Sequence, residues 1–297
     1  MSEGKKYIWQ CDDWPNWHCD SGQLQARLAS TEQQQQKLFA SIAQLDAQQQ
    51  QLLTLDAVVD EVRRSSAIEG VILDARFVRA SVARRLGVDV GGQEYFDHYV
   101  EGVVDMVMDA TVRCNEPLTA ERLYGWHAAL FPTGFSDGWP VAVGRWRDDK
   151  LGAMQVVSGS AGRLTVHYEA PPASRLDEEM NRFLQWINEP SGEHPILRAA
   201  IAHLWFVTLH PFDDGNGRVG RATGDMMLAR ADGQNQRYYS FSAQVQRVRA
   251  DYYKALECTQ QNHMDITDWA QWFIGALQRS ILYARVQVDA ASRQARH

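Results

Sequence analysis

Only one stretch of this chain, residues 152–168, reads as β structure; almost everywhere else apolar residues recur at helical spacing. Within that stretch, Gln155-Val156-Val157 and Leu164-Thr165-Val166 flank Ser158-Gly159-Ser160-Ala161-Gly162, which predicts a hairpin. Across residues 22–64, Leu24, Leu28, Leu38, Ile42, Leu45, Leu52, Leu55, Val59 and Val62 recur at threes, fours and sevens, so the segment is expected to be helical. The glutamines at 33–36 and 48–51 alternate with that stripe and read as a solvated helix face. A break is expected at Glu69-Gly70.

Residues 74–87 predict a short helix ended by Gly87 and the Gly91-Gly92 pair. Residues 94–113 predict an amphipathic helix with Tyr95, Tyr99, Val103, Met106 and Val107 inward. Pro117-Leu118-Thr119 opens a helix at 119–131, and residues 132–150, with five glycines and prolines, are expected as loop. After Pro171-Pro172, helices are expected over 174–188, 195–209, 217–231, 249–260 and 266–289. Tyr7, Trp9, Trp14 and Trp17 make the first twenty residues aromatic, an irregular or short extended segment that packs onto something else. The fold class is all-α with one small β-hairpin and no internal repeat.

A chain of 297 residues, 45% hydrophobic and 23% charged, can build one large domain or two modest ones without a disulfide or metal staple. A net charge of -7 provides no global field toward nucleic acid or anionic lipid. No segment approaches the roughly 18 apolar residues of a membrane span, and MSEGKKYIWQ is not expected to be a signal peptide. Cys11, Cys19, Cys114 and Cys258 are scattered, which suits free thiols in a reducing cytoplasm. Cys11, His18 and Cys19 match no zinc spacing and lack a fourth ligand.

The chemistry concentrates in His210-Pro211-Phe212-Asp213-Asp214-Gly215-Asn216-Gly217-Arg218-Val219-Gly220-Arg221. An apolar helix (Ile196, Leu197, Ala200, Ile201, Leu204, Trp205) runs into His210, and Pro211 stops it. Gly215-Asn216-Gly217 can turn successive backbone N–H groups toward one point, and a helix beginning near Gly217 adds a field that favours an anion. Arg218 and Arg221, three apart, share one face of that helix. Two guanidiniums beside such a nest make a polyphosphate cradle. Asp214 at its edge can hold a divalent ion that bridges phosphates. His210 can act as a base near neutral pH. Singly, these would read as a core histidine, a turn and a solvated face; together they read as a site.

The stretch matches every defined position of the signature His-Pro-Phe-x-(Asp/Glu)-Gly-Asn-Gly-Arg-x-x-Arg, and the chain is identified as resembling the Fic (Fido) family. The resemblance implies a helical Fic core over about residues 95–280, an N-terminal helical region over 1–90 and a C-terminal helix end over 281–297. It implies that His210 deprotonates a target hydroxyl. Asp214 would bind Mg²⁺ with the α- and β-phosphates of ATP. Gly215, Asn216 and Gly217 would form the anion hole, with Val219 and Gly220 beside the nucleotide. Arg218 and Arg221 would hold the β- and γ-phosphates, and Phe212 would plug into the core.

The hairpin at 154–167 resembles the Fic flap, which pins an extended target segment by strand addition, so Val157, Ser158, Gly159 and Ser160 are expected near substrate. Gly144-Arg145-Trp146-Arg147 resembles the step before the flap, and Tyr252-Tyr253 the tyrosine pair beside the nucleotide base. Gln260 falls where some relatives contact adenine, although a surface glutamine is the plainer reading.

Ser65-Ser66-Ala67-Ile68-Glu69-Gly70 fits the family's inhibitory pattern (Ser/Thr)-x-x-x-Glu-(Gly/Asn), with Ser65 and Glu69 as its ends. The resemblance then implies that Glu69 pairs with Arg221 and occupies the γ-phosphate's place. The region from 7 to about 90 resembles the uncharacterised N-terminal region of one bacterial Fic subgroup. Too few residues follow the core for a winged helix, so nucleic acid is not an expected partner.

The expected activity is transfer of AMP from ATP, with Mg²⁺, to a Ser, Thr or Tyr hydroxyl of an unidentified target protein. Removal of AMP with Glu69 orienting water, and a non-catalytic regulatory binding module, are the alternatives. The phosphorylating branch of the superfamily is set aside because Gly215-Asn216-Gly217-Arg218 is retained. A homodimer is left open.

Overall fold

The computed structural model describes residues 7–89, 91, 96–160, 163–234, 236–261 and 263–294. Eleven α-helices occur among them: α1 (Ser21–Ile42), α2 (Ala47–Ile68), α3 (Ala75–Leu86), α4 (His98–Val112), α5 (Ala120–Leu130), α6 (Leu176–Asn188), α7 (Pro195–Leu209), α8 (Asn216–Asp232), α9 (Phe241–Arg247), α10 (Arg249–Gln260) and α11 (Thr267–Gln294). Two antiparallel hairpins complete the fold, β1 (Phe135–Ser136) with β2 (Trp139–Pro140), and β3 (Gln155–Ser160) with β4 (Arg163–Glu169). The chain is therefore all-α with small hairpins, as its periodicity predicts. No helix among the described residues is long and apolar enough to cross a membrane.

Helix α7 is the axis. Pro195 occupies its first turn, where a missing N–H costs nothing, and the His194 ring accepts from the N–H of Ile196 at 3.3 Å. Every residue from Ala199 to Leu209 is buried, as an all-round apolar helix requires. Helix α8 packs closely along it because glycines face it: a Cβ on Gly220 would lie 2.6 Å from Val207 Cγ1. Helices α4 and α5 approach in the same way, with Gly102 against the Ala129 carbonyl.

The N-terminal helices join this core. Arg27 of α1 donates to the Gln271 carbonyl on α11 at 2.9 Å, and Gln278 of α11 donates to Ser30 Oγ at 2.9 Å. Helix α2 lies between α3 and α9, and its buried Glu61 accepts from the Ser242 N–H at 2.9 Å and from Ser240 Oγ at 2.8 Å. That carboxylate sits at the N-terminus of α9, where negative charge is favoured. One apolar cluster runs from Ile8 to Val288. The aromatic N-terminal segment packs onto it: Trp14 and Trp17 meet Trp205 edge-on, and Trp14 Nε1 donates to Glu179 at 2.9 Å.

Four expectations are corrected. The helix expected across 22–64 is two, because Asp46 accepts from the Gln49 N–H at 2.8 Å while the Gln49 side chain accepts from the Asp46 N–H, a reciprocal cap that starts α2 afresh. Helix α4 begins at His98, capped by Asp97, and the expected place of Tyr95 lies outside the described residues. The expected loop 132–150 holds β1 and β2, joined by Asp137 (φ 47°) and Gly138 (φ 84°). Helix α9 was not expected.

Gly102→Ala should destabilise the fold by about 2 kcal/mol or more, since its Cβ would lie 1.8 Å from the Ala129 oxygen. Urea unfolding followed by circular dichroism checks this, and an unchanged midpoint would contradict the close approach of α4 and α5.

Candidate active site

The site is built on the turn between α7 and α8, and a missing donor shapes it. A helix would use the N–H of residue 211 to satisfy the carbonyl of Val207, but Pro211 has none. His210 instead turns left-handed (φ 49°, ψ 56°), so that its Nδ1 reaches the Val207 carbonyl at 3.2 Å and its N–H the Phe206 carbonyl at 3.1 Å. A carbonyl only accepts, so Nδ1 carries the proton and Nε2 is bare. Burial pushes this imidazole down to about 4. Arg147 braces the turn from outside, donating through Nε to the His210 carbonyl at 2.7 Å and through its N–H to the Pro211 carbonyl at 2.9 Å.

Phe212 is fully buried and stacks on His127, with ring centroids 4.1 Å apart and planes 6° from parallel. Asn216 closes the loop by bonding both the N–H (2.9 Å) and the carbonyl (2.8 Å) of Phe212 with its side-chain amide. Its amide is thus committed to the loop, which leaves its backbone N–H for any anion. Gly215 has φ 80° at the start of α8, and no side chain caps that helix. The Gly215 N–H donates to Asp214 Oδ1 at 2.5 Å, so the N–H groups that this helix start offers an anion are those that follow it.

Asp214 is partly exposed at the loop's mouth, accepting from Ser136 Oγ at 2.5 Å, with Arg218 Nη2 3.8 Å away. Asp213 faces elsewhere and accepts from the Ala142 N–H at 2.9 Å. No cluster of three or more acidic, His or Cys side chains that could hold a metal occurs among the described residues. A single carboxylate at an open mouth fits a Mg²⁺ ion that arrives with phosphates and keeps several waters.

Both arginines of the turn are buried. Arg218 donates to the Tyr99 hydroxyl at 2.5 Å and lies over the Phe131 ring. Arg221, with 1% of its side chain exposed, pairs through Nη1 with Glu69 Oε1 at 2.7 Å. Its Nε and Nη2 donate to Ser65 Oγ at 3.0 Å and to the Ser65 carbonyl at 2.8 Å. Burial pushes the Arg221 guanidinium down, yet Glu69 and the neighbouring tyrosines hold it above its ordinary value. Both ends of the motif at 65–70 therefore converge on one cation.

Glu69 projects because α2 stops abruptly: Gly70 (φ 85°) donates to the Ala67 carbonyl at 3.0 Å and Val71 to the Ser66 carbonyl at 3.0 Å. A carboxylate at a helix C-terminus is disfavoured without a cation beside it. The Glu69 carboxylate also lies over the first turn of α8, where a Cβ on Gly217 would be 2.1 Å from Oε1.

The remaining expected residues lie further out or further in. Val219 is buried in the core and Gly220 faces Val207. Tyr253 donates to Glu69 Oε2 at 3.4 Å, while Tyr252 is buried with its hydroxyl 2.9 Å from His203 Nε2. Gln260 is not a surface residue: it is buried and donates to Thr208 Oγ1 at 3.1 Å. On the flap, Val157 and Ser158 are exposed, and Ser158 Oγ lies 2.6 Å from His167 Nε2. Gly159 (φ 114°) pairs with Leu164, and the Ser160 backbone with Arg163. His167 in turn pairs with Glu257 of α10 at 3.1 Å. Ser136, His127 and Tyr168 touch this site or brace it without having been expected there. For Ser136 the signal was the Asp137-Gly138 turn; His127 and Tyr168 carried none.

Residues 117–228 match the Fic/DOC family, and residues 7–88 match a domain of unknown function (DUF4172). The chain carries a Fic/DOC domain. The matched span holds the β3–β4 hairpin, α7, the loop and most of α8, whereas Ser65 and Glu69 fall in the other match. A protein from Nematostella vectensis named "Protein adenylyltransferase Fic" is 27% identical over 235 residues, covering 76% of this chain and 48% of that protein. A Xanthomonas campestris "Uridine 5'-monophosphate transferase" is 33% identical over 122 residues, covering 38% of this chain and 21% of that one. The chain thus spans half or less of these relatives. A Fic family protein from Desulfovibrio desulfuricans shares the fold with TM-score 0.64 at 22% identity, covering 89% of this chain and 75% of that one. Fic-1 from C. elegans does so with TM-score 0.61 at 20% identity, covering 93% and 74%.

The Fic/DOC core holds three depressed imidazoles: His210 and His127 near 4, and His203 near 3, each pushed down by burial. A histidine depressed in the folded state stays neutral while its unfolded counterpart takes up a proton below about 6.5. The unfolded state then binds more protons, so stability falls as pH drops from 6.5 toward 4. From pH 7.5 to 5, His127 and His203 together should lower stability by roughly 2–4 kcal/mol. NMR titration of the two rings checks this, since buried Asp225, raised to about 7, contributes in the opposite sense to the overall pH dependence, and a ring that titrates near 6.5 would refute the neutral assignment.

Proposed function

We propose that this chain transfers AMP from ATP to a Ser, Thr or Tyr hydroxyl of a target protein, and that Glu69 restrains the transfer. One observation carries the reading. The uncapped start of α8 and the buried Arg221 form a seat for an anion, and the carboxylate that sits there belongs to the chain itself.

In the proposed reaction, the backbone N–H groups of Asn216 and Gly217 and the guanidiniums of Arg218 and Arg221 hold the phosphates in line for attack. Nε2 of His210 takes the proton of the target hydroxyl as its oxygen bonds the α-phosphorus and pyrophosphate leaves. A base held near 4 is bare at neutral pH, and the negative charge of a bound triphosphate raises its basicity when it is needed. Asp214 would hold Mg²⁺, which supplies charge neutralisation on the phosphates. The exposed flap, with Val157 outward, would take an extended target segment along its edge, the flap itself being tied to α10 through His167 and Glu257. Residues 1–90 would then serve as the restraining region of a catalytic core at 95–280, working in the cytoplasm. AMP is favoured over UMP because the Nematostella vectensis and Aedes aegypti relatives named adenylyltransferases align over 76% of this chain, against 38% for the uridine relative.

Glu69→Gly should raise incorporation of α-phosphate label from ATP into protein at least tenfold, since the carboxylate no longer competes for Arg221. An equal or lower rate would sink the restraining role, and a specific loss of AMP removal would assign Glu69 to hydrolysis. Adding His210→Ala to that variant should abolish labelling by a factor of about 100 or more while ATP still binds. Labelling from UTP but not ATP would reassign the nucleotide.

Asp214→Ala should eliminate transfer at every Mg²⁺ concentration, and Asp213→Ala should be mild, because Asp213 is engaged with Ala142. A Mg²⁺ titration of both variants decides it, and the reverse ranking would move the cation to Asp213.

A further inference from the structure

A hydrogen bond joins the flap to the turn that presents His210. Tyr168 of β4 is 1% exposed, and its phenol donates to the Thr208 carbonyl at 2.7 Å. In a continuing helix that carbonyl would take the N–H of residue 212. Here the Phe212 N–H is committed to Asn216 Oδ1 at 2.9 Å. The neighbouring Val207 carbonyl has lost its donor to Pro211 and takes Nδ1–H of His210 at 3.2 Å. Two adjacent carbonyls at a buried helix end therefore depend on side-chain donors, one from the flap and one from His210.

We infer that Tyr168 is a positioning residue: by occupying the Thr208 carbonyl it leaves the Val207 carbonyl as the acceptor for His210 Nδ1–H, and so holds the ring in one orientation. Without the phenol, the Thr208 carbonyl is a buried acceptor with no donor, one turn-residue from a ring that carries one. The ring is then drawn between two acceptors, and the left-handed turn at His210 no longer has a single preferred arrangement. The flap end of the link is itself held. Tyr7 packs edge-on against Tyr168 with centroids 5.3 Å apart, and Trp9 Nε1 donates to the Glu169 carbonyl at 2.8 Å. The catalytic side of this inference rests on the proposed role of His210 as base.

Tyr168→Phe keeps the ring and its packing and removes the one donor. In the Glu69→Gly protein, kcat for transfer should fall about tenfold while KM for ATP stays within about twofold, a part of what an oriented base contributes. In parallel, nitrogen-15 NMR of the histidine rings should show one His210 ring environment in the parent and two, or one broadened by exchange, in Tyr168→Phe, with Nδ1 protonated in both. An unchanged His210 ring spectrum or an unchanged kcat overturns the inference. So does a protein that fails to fold, or whose KM rises as far as kcat falls, since the phenol would then support the fold at large. If the parent protein transfers no nucleotide at all, the proposed function fails, and the His210 ring spectrum still decides whether Tyr168 sets the ring.

Discussion

The end of α7 is the constraint from which the rest of the site follows. A helix that ends in solvent leaves its last carbonyls to water. This one ends among buried residues, so its carbonyls need donors from the protein, and Pro211 removes one that the backbone would have supplied. The replacements are side chains, the His210 ring at Val207 and Tyr168 of the flap at Thr208, while Arg147 before the flap takes the carbonyls of the turn itself, those of His210 and Pro211. Arg147 is itself pinned by Asp149 at 2.7 Å and by the Pro171 carbonyl at 2.6 Å. Satisfying one helix end therefore fixes the loop's path, the flap's seat and the orientation of an imidazole.

The start of α8 presents the complementary problem. Two guanidiniums are buried within the first two turns of a helix, near an N-terminus whose field already favours anions. Tyr99 and the Phe131 ring serve Arg218, with Asp214 at 3.8 Å, so its charge is only loosely matched. Arg221 is matched by an ion pair, and removing one member of such a pair typically costs about 3–5 kcal/mol unless another charge replaces it. In the proposed reaction a phosphate is that replacement. Carboxylate and phosphate then compete for one cation with similar electrostatic gains, and a modest change in either can shift the balance.

The sequence made this site legible and left parts of its surroundings obscure, for separable reasons. The loop could be read because its residues are neighbours along the chain, and their chemistry depends on local conformations that glycine and proline announce. The hairpin and α7 carried strong patterns of their own. The pairing of Glu69 with Arg221 joins residues 152 apart in sequence and was reachable only through a resemblance. The division of α1 from α2 was hidden because Leu45, in the turn, stays buried and continues the apolar stripe across the break. Its signal, Asp46 with Gln49, lay inside a run of glutamines that reads as a uniform solvated face. Helix α9 spans seven residues, too few for periodicity, and part of its cap comes from Glu61 on a distant helix. Gln260 looked like surface because its partner, Thr208, is brought to it only by tertiary packing.

Glu61, Ser65 and Glu69 follow one another every four residues, so they lie along one face of α2. Glu61 is tied to the first residues of α9, with both its oxygens engaged by Ser240 and Ser242. Sliding α2 along its axis would strip that cap and leave a buried carboxylate without donors, a cost of several kcal/mol. Ser65 holds Arg221 through its backbone carbonyl as well as its hydroxyl, so the middle of the helix is fixed too. The Glu69 side chain is different. It is 29% exposed, hangs from the last residue before a glycine turn, and meets Tyr253 only at 3.4 Å. Rotation of that one side chain vacates the anion seat without moving α2, α9 or the apolar cluster they share. Relief of the proposed restraint therefore needs a ligand that outcompetes one carboxylate at Arg221, and it does not need the N-terminal helices to leave the core.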